Sequence, residues 1–282
     1  MEKDKTIVIT GATGVIGTAV AERFAHAGWR ILLSARSAEK LAALQNTLVP
    51  QAATLIFAAD LSRPEEVKKL FGFAEKKFGS LDLLVTAAGS YGEIGALEEA
   101  DLVYWRDAIE VNLFGTVSAI KYALPLLKKG KGKSIVAFAG GGEGPLPNFS
   151  SYASSKGAIL RLVETLAAEF APDGIAINAI SPGQVNSGLT DALVKAGPRR
   201  SGAKKYAEAL RQISGEEKTT SPAEAAKLVF FLSSKEAQGV TGKNISAVWD
   251  KWRDLPAHIR ELAKTDIYTW RRIKPKDRGY DW

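Results

Sequence analysis

Short apolar, β-branched runs alternate along this chain with longer stretches whose apolar positions recur every three or four residues. The short runs predict strands at Thr6–Thr10, Arg30–Ser34, Thr54–Ala58, Leu81–Thr86, Ser134–Phe138, Ala176–Ser181 and near Asn244–Ala247. The periodic stretches predict helices at Gly17–Ala27, Pro64–Phe78, Tyr104–Leu127, Ser151–Phe170 and Pro222–Ser233. Regular strand–helix alternation argues for an α/β fold, a doubly wound parallel sheet of about seven strands with helices on both faces. The strands read as almost unbroken apolar runs (IVIT, ILLS, LDLLV), which fits a sheet covered on both sides.

Two segments depart from this rhythm. Residues 188–221 are richer in polar residues, glycine and proline, with one helical piece around Lys204–Ile213, and read as an excursion over a ligand crevice. After Ala247 the composition shifts: Trp249, Trp252, Trp270 and Trp282 fall in the tail, around a short helix near Pro256–Lys264. Residues 1–247 thus form one domain including the excursion, and 248–282 form a tail too short for a domain, expected to pack on the body or on a neighbouring subunit.

Composition removes several chemistries. The 282 residues include no cysteine, so disulfides, thiolate nucleophiles and cysteine-held metals are excluded. His26 and His258 stand far apart and predict no metal site. The charged N-terminus lacks a secretory signal, and no run approaches the roughly 20 apolar residues of a membrane span, so a cytoplasmic protein without membrane contact is expected. The formal charge of +7 is dispersed, as solvated surface charge rather than a nucleic-acid footprint.

The first strand runs directly into TGATGVIG, which places Gly11, Gly14 and Gly17 at a strand–helix turn. Glycines there allow a tight turn and close backbone approach to a pyrophosphate, and the helix start offers unpaired N–H groups to phosphate. This is the dinucleotide-binding pattern of a Rossmann-type sheet, with Thr13, Val15 and Ile16 completing the loop. The second strand ends Ser34-Ala35-Arg36-Ser37, without the carboxylate that would hold ribose hydroxyls. Arg36 there suits a 2′-phosphate, favouring NADP(H) over NAD(H).

Tyr152 and Lys156, in YASSK, are four apart and share one helix face. A nearby ammonium favours the phenolate and is expected to lower the tyrosine's pKa toward useful proton exchange. With these motifs in order from about Lys5 to Ala247, the sequence resembles the short-chain dehydrogenase/reductase family. The resemblance implies that Asp60 and Leu61 meet the adenine, and that Ala88 and Gly89 follow the fourth strand beside the cofactor. It also implies that Asn112 positions a water-linked proton relay, and that Pro182, Gly183, Val185 and Ser187 lie along the nicotinamide. Tyr152 would be general acid or base, and Lys156 would hold the ribose and tune Tyr152.

Three features depart from the family pattern. The glycines are spaced GxxGxxG, a difference of small weight. Thr86 and Ala87 replace two asparagines of the fourth-strand motif, which is first a matter of stability. The family's serine, thirteen residues before the tyrosine, is here Ala139, followed by Gly140, Gly141 and Gly142. Losing such a donor typically costs about 10²–10³ in rate. Three readings stay open: another donor replaces the hydroxyl in a working oxidoreductase; the enzyme is non-redox and Tyr152 only moves a proton; or the chain binds NADP as a regulatory protein with little turnover. The first makes it an NADP(H)-dependent enzyme interconverting an alcohol and a carbonyl on a small molecule. Lys195, Arg199, Arg200, Lys204 and Lys205 in the excursion suggest an anionic or sugar-derived substrate. The tryptophan-rich tail and the family resemblance suggest a homo-oligomer, dimer or tetramer.

Overall fold

The apolar runs form one parallel sheet in the computed structural model, which describes residues 4–49, 53–141 and 143–282. Its strands are β1 (Thr6–Thr10), β2 (Arg30–Ala35), β3 (Thr54–Ala58), β4 (Leu83–Thr86), β5 (Ser134–Phe138), β6 (Ala176–Ser181) and β7 (Asn244–Ser246). Their spatial order is β3-β2-β1-β4-β5-β6-β7, and every neighbouring pair is parallel. The order reverses direction between β1 and β4, where Thr10 pairs with Thr86. In such sheets a crevice opens beyond the carboxyl ends of the strands at that switch point.

Ten α-helices connect and flank the strands among the described residues: α1 (Val15–His26), α2 (Ala38–Thr47), α3 (Pro64–Phe78), α4 (Leu102–Ala108), α5 (Gly115–Lys129), α6 (Ser150–Phe170), α7 (Gly188–Ser201), α8 (Ala203–Ser214), α9 (Pro222–Leu232) and α10 (Ile259–Lys264). Successive strand residues serve opposite faces. Ile7 and Ile9 of β1 join the core under α1, α9 and the tail, whereas Val8 joins the core under α3, α5 and α6.

Three local expectations needed correction. Helix α2 had no counterpart in the sequence reading: only Leu41 and Leu44 of it are buried, too few for a clear apolar period, and Ser37 Oγ caps it by accepting from Lys40 N. The single helix expected over Tyr104–Leu127 is two helices separated by a π-helical turn, Ile109–Phe114. The extra residue in that turn leaves Asn112 fully enclosed, and Gly115 lets α5 approach Leu61, where a Cβ would come within 2.9 Å. The excursion holds two helices rather than one; α7 breaks at Gly197, whose φ of 78° no helix accommodates, just before Pro198.

Trp252 of the tail packs on Phe231 of α9 at 5.2 Å between ring centres, and its Nε1 donates to Ala247 O. Further along, the Tyr268 carbonyl accepts from Asn244 N at the β7 edge, and Lys243 Nζ donates to the carbonyls of Thr265 and Ile267. Trp270 then meets Glu164 and Arg161 of α6 through its own backbone. Trp249 and Trp282 are exposed. No described helix is long and apolar enough to cross a membrane.

Candidate active site

The two loops that leave β1 and β4 touch at the switch point. A Cβ on Gly11 would lie 2.4 Å from Ala88 N, and one on Gly17 would lie 2.3 Å from Gly11 O. Both contacts are with backbone, so only glycine fits, and Gly11 also carries φ +68°. Gly14 precedes α1 with no side-chain cap, leaving the first-turn N–H groups around Val15 and Ile16 beside Thr13 facing the crevice end of the sheet. This cradle has the shape and donor set that a pyrophosphate requires. Two buried hydroxyls near it, Ser34 Oγ at the end of β2 and Thr86 Oγ1 at the end of β4, have no partner among the described residues.

At the end of β2 and β3 a hollow of about 300 Å³ is lined by Arg36, Ala58, Ala59, Asp60, Arg63 and Glu66. Burial would raise the Asp60 carboxyl, but hydrogen bonds from Ser62 N and Oγ, with the charges of Arg36 and Arg63, hold it below the usual value. Arg63 was not singled out in the sequence; it reaches this hollow because α3 begins just after it, and Glu66 balances it at 3.2 Å.

Tyr152 sits in the first turn of α6 and Lys156 one turn on, both buried. Tyr152 Oη donates to Gly140 O at 3.0 Å, and Lys156 Nζ donates to Phe138 O at 2.8 Å while lying 5.7 Å from the centre of the Tyr152 ring. Asn112 Nδ2 donates to Ser90 O and to Ser155 Oγ, both at 2.9 Å, and its Oδ1 accepts from Ser90 N at 2.8 Å. A side chain at Gly89 would come within 4 Å of both Asn112 Oδ1 and Lys156 Nζ. The structure therefore gathers Gly89, Asn112, Tyr152 and Lys156. It adds Ser90 and Ser155, which the sequence reading did not name although they adjoin Gly89 and Lys156.

In the protein without cofactor the tyrosine's pKa is raised, not lowered. Burial pushes the Tyr152 phenol up, and neighbouring Tyr91 adds to the rise. Burial also pulls Lys156 down to about 8. Removing water disfavours the charged form of each group.

Ala139 is wholly enclosed and belongs to the same core as Ala137, Ala179 and Ile159. Tyr152 belongs to a different cluster with Ile94, Phe149, Leu193 and Ala209. At Gly141 (φ +93°) a Cβ would stand 2.7 Å from Tyr152 Cε1, so the glycine loop lies directly on the ring. Gly142 lies outside the described residues.

Beyond β6, Gly183 packs where a Cβ would meet Thr220 and Val248, and Pro182 packs against Gly140. Val185 is half-buried. Ser187 caps α7, its Oγ accepting from Leu189 N while Ser187 N donates to Thr190 Oγ1. Of the excursion's cations, Arg200 is held by buried Glu93 and donates from Nε to Ile94 O, and Arg199 pairs with exposed Glu99. These two arginines fasten α7 to the loop after β4.

Residues 11–247 match the family model described as enoyl-(acyl carrier protein) reductase. The chain is 30% identical to the uncharacterized oxidoreductase YxbG of Bacillus subtilis over 87% of this chain and 90% of that protein. It is 31% identical to the L-fucose dehydrogenase of Oryctolagus cuniculus over 84% of this chain and 81% of that one. A variant of actinorhodin polyketide ketoreductase solved with NADPH superposes with a TM-score of 0.77 at 26% identity, covering 86% of this chain and 95% of that one.

Proposed function

Because this chain belongs to the short-chain dehydrogenase/reductase family of oxidoreductases, we propose that it interconverts an alcohol and a carbonyl on a small molecule with NADP(H). The observation that carries the reading is the meeting of Tyr152, Lys156 and Asn112 beside Gly89, at the end of a crevice whose glycine cradle suits a dinucleotide. Gly11, Gly14 and Gly17 would take the pyrophosphate, Asp60 and Leu61 the adenine, and Arg36 the 2′-phosphate. Val185 and Ser187 would contact the carboxamide end. When bound, the nicotinamide supplies or accepts hydride at the substrate carbon.

The chain's own residues handle the proton. Tyr152 turns its hydroxyl from the Gly140 carbonyl to the substrate oxygen and gives up or takes the proton there. Lys156 favours the phenolate once bound ligands stand beside it, and Asn112 fixes Ser90 and Ser155 around the lysine. NADPH absorbance at 340 nm, followed against a panel of small ketones, diketones and aldoses, tests the reading. Wild type is expected to turn over at least one of them, and Tyr152→Phe to lower kcat by about 10²–10⁴. A flat signal across the panel overturns it.

An aldose is the substrate class to try first, since one relative is an L-fucose dehydrogenase. An anionic group is less favoured than the sequence suggested, because Arg199 and Arg200 are already paired; Lys195, Lys204 and Lys205 remain to attract one. One observation favours the low-turnover reading: the phenol is satisfied by backbone and shielded from water. Tight NADPH binding with no turnover would select it. A homo-oligomer is supported by the exposed apolar side chains of Leu102, Val103, Tyr104 and Phe114; a monomer in light scattering would exclude it.

A further inference from the structure

The loop beyond β5 offers no side-chain hydroxyl to the reacting oxygen: Ala139 is shut in the core, and Gly140 and Gly141 have no side chain. Two nearby serines are spent elsewhere. Ser151 Oγ donates to Tyr91 O, and Ser155 Oγ donates to Tyr152 O. Tyr91, two residues beyond Gly89, packs edge-on to the Tyr152 ring at 4.8 Å between centres, with Phe149 at 4.9 Å on its other contact. Its backbone is pinned to the start of α6 by the bond from Ser151, immediately before Tyr152. Its ring is therefore fixed relative to the candidate acid. Tyr91 is half-buried, and its hydroxyl, which has no hydrogen-bond partner among the described residues, stands open to water and so to a ligand.

We propose that Tyr91 is a second catalytic tyrosine, whose hydroxyl donates a hydrogen bond to the substrate oxygen in place of the absent serine. The charge that would form on Tyr91 is felt at Tyr152, which sets the two phenols within electrostatic reach of each other. In carbonyl reduction, hydride from NADPH forms the new C–H bond as the C=O π pair moves to oxygen, and the Tyr152 proton completes the alcohol. Tyr91 transfers no proton; it steadies the charge gathering on that oxygen, and its raised pKa keeps it a donor at all ordinary pH values.

This inference rests on the oxidoreductase reading. Tyr91→Phe keeps the ring and removes only the hydroxyl, so its urea midpoint should equal that of wild type. On a panel carbonyl that wild type reduces, Tyr91→Phe is expected to lower kcat about 10²-fold or more, with KM for NADPH unchanged. A kcat within about threefold of wild type, while Tyr152→Phe lowers kcat by about 10²-fold or more, overturns Tyr91's role and leaves the oxidoreductase reading standing. Should wild type reduce nothing, that reading falls, and a crystal of the protein with NADP⁺ and trifluoroethanol decides Tyr91 separately. The alcohol oxygen within about 3 Å of Tyr91 Oη supports the assignment; an oxygen held by Tyr152 and backbone alone overturns it.

Discussion

At Lys156 the ammonium group exchanges water for one carbonyl, that of Phe138, and its pKa falls to about 8. An unfolded lysine titrates near 10.4. Between about pH 8 and 10 the unfolded chain therefore binds more protons here than the folded one, so stability should rise with pH across that window. Tyr152 has the opposite sign: its raised pKa makes the folded state the better proton binder above pH 10, and stability should then fall. Urea midpoints of the ligand-free protein from pH 7 to 11 check both limbs, and Lys156→Met should flatten the rising one. At Ala139 the enclosing core predicts the effect of introducing a hydroxyl. Ala139→Ser would bury an oxygen among Ala137, Ala179 and Ile159, and should cost about 1–3 kcal/mol in urea unfolding without speeding reduction. A faster variant would show that position 139 does face the reacting oxygen. The sequence singles these residues out by their spacing, but neither the direction of the tyrosine's shift nor the facing of residue 139 is written in spacing. Both depend on which residues close over them from elsewhere in the chain.

Among the elements, the strands were the most legible, since an apolar run covered on both faces has few alternative states; each observed bound lies within two residues of its expectation. Helices whose apolar face is narrow, such as α2, were not. Neither was the π turn, because one extra residue barely disturbs a helical period while it turns Asn112 into the site. The same limit hid Arg63: nothing in RPEEVKKLF says that the residue before α3 faces the end of β2. Its position in the hollow with Arg36 predicts that both guanidinium groups grip a 2′-phosphate. Calorimetry should find 2′,5′-ADP bound more tightly than 5′-ADP. Arg36→Ala and Arg63→Ala should each weaken 2′,5′-ADP about tenfold and leave 5′-ADP nearly unchanged. Equal affinities in wild type would remove the NADP preference, and an effect of Arg36→Ala alone would return Arg63 to its pairing with Glu66.

For the whole molecule, the tail is anchored in the fold's interior by three side chains, while most of its length stays exposed. Trp252, Leu255 and Leu262 join the same core as Ile7, Phe24 and Leu228. Trp252→Ala should cost about 3–5 kcal/mol in urea unfolding, whereas Trp282→Ala, at an exposed position, should cost almost nothing. Similar small effects from both would mean that the tail's packing contributes little. The order of motifs along the chain determined the class of sheet, the glycine turn after β1 and the placing of Tyr152 and Lys156 on one helix, because backbone sterics and residue spacing are local and each motif lies within one turn or strand end. Tertiary structure alone decided that Tyr91 stands against Tyr152, that Arg200 is spent on Glu93, and that the tail covers α9. Those contacts join segments distant in sequence, and only the closing of the sheet's two faces brings them together.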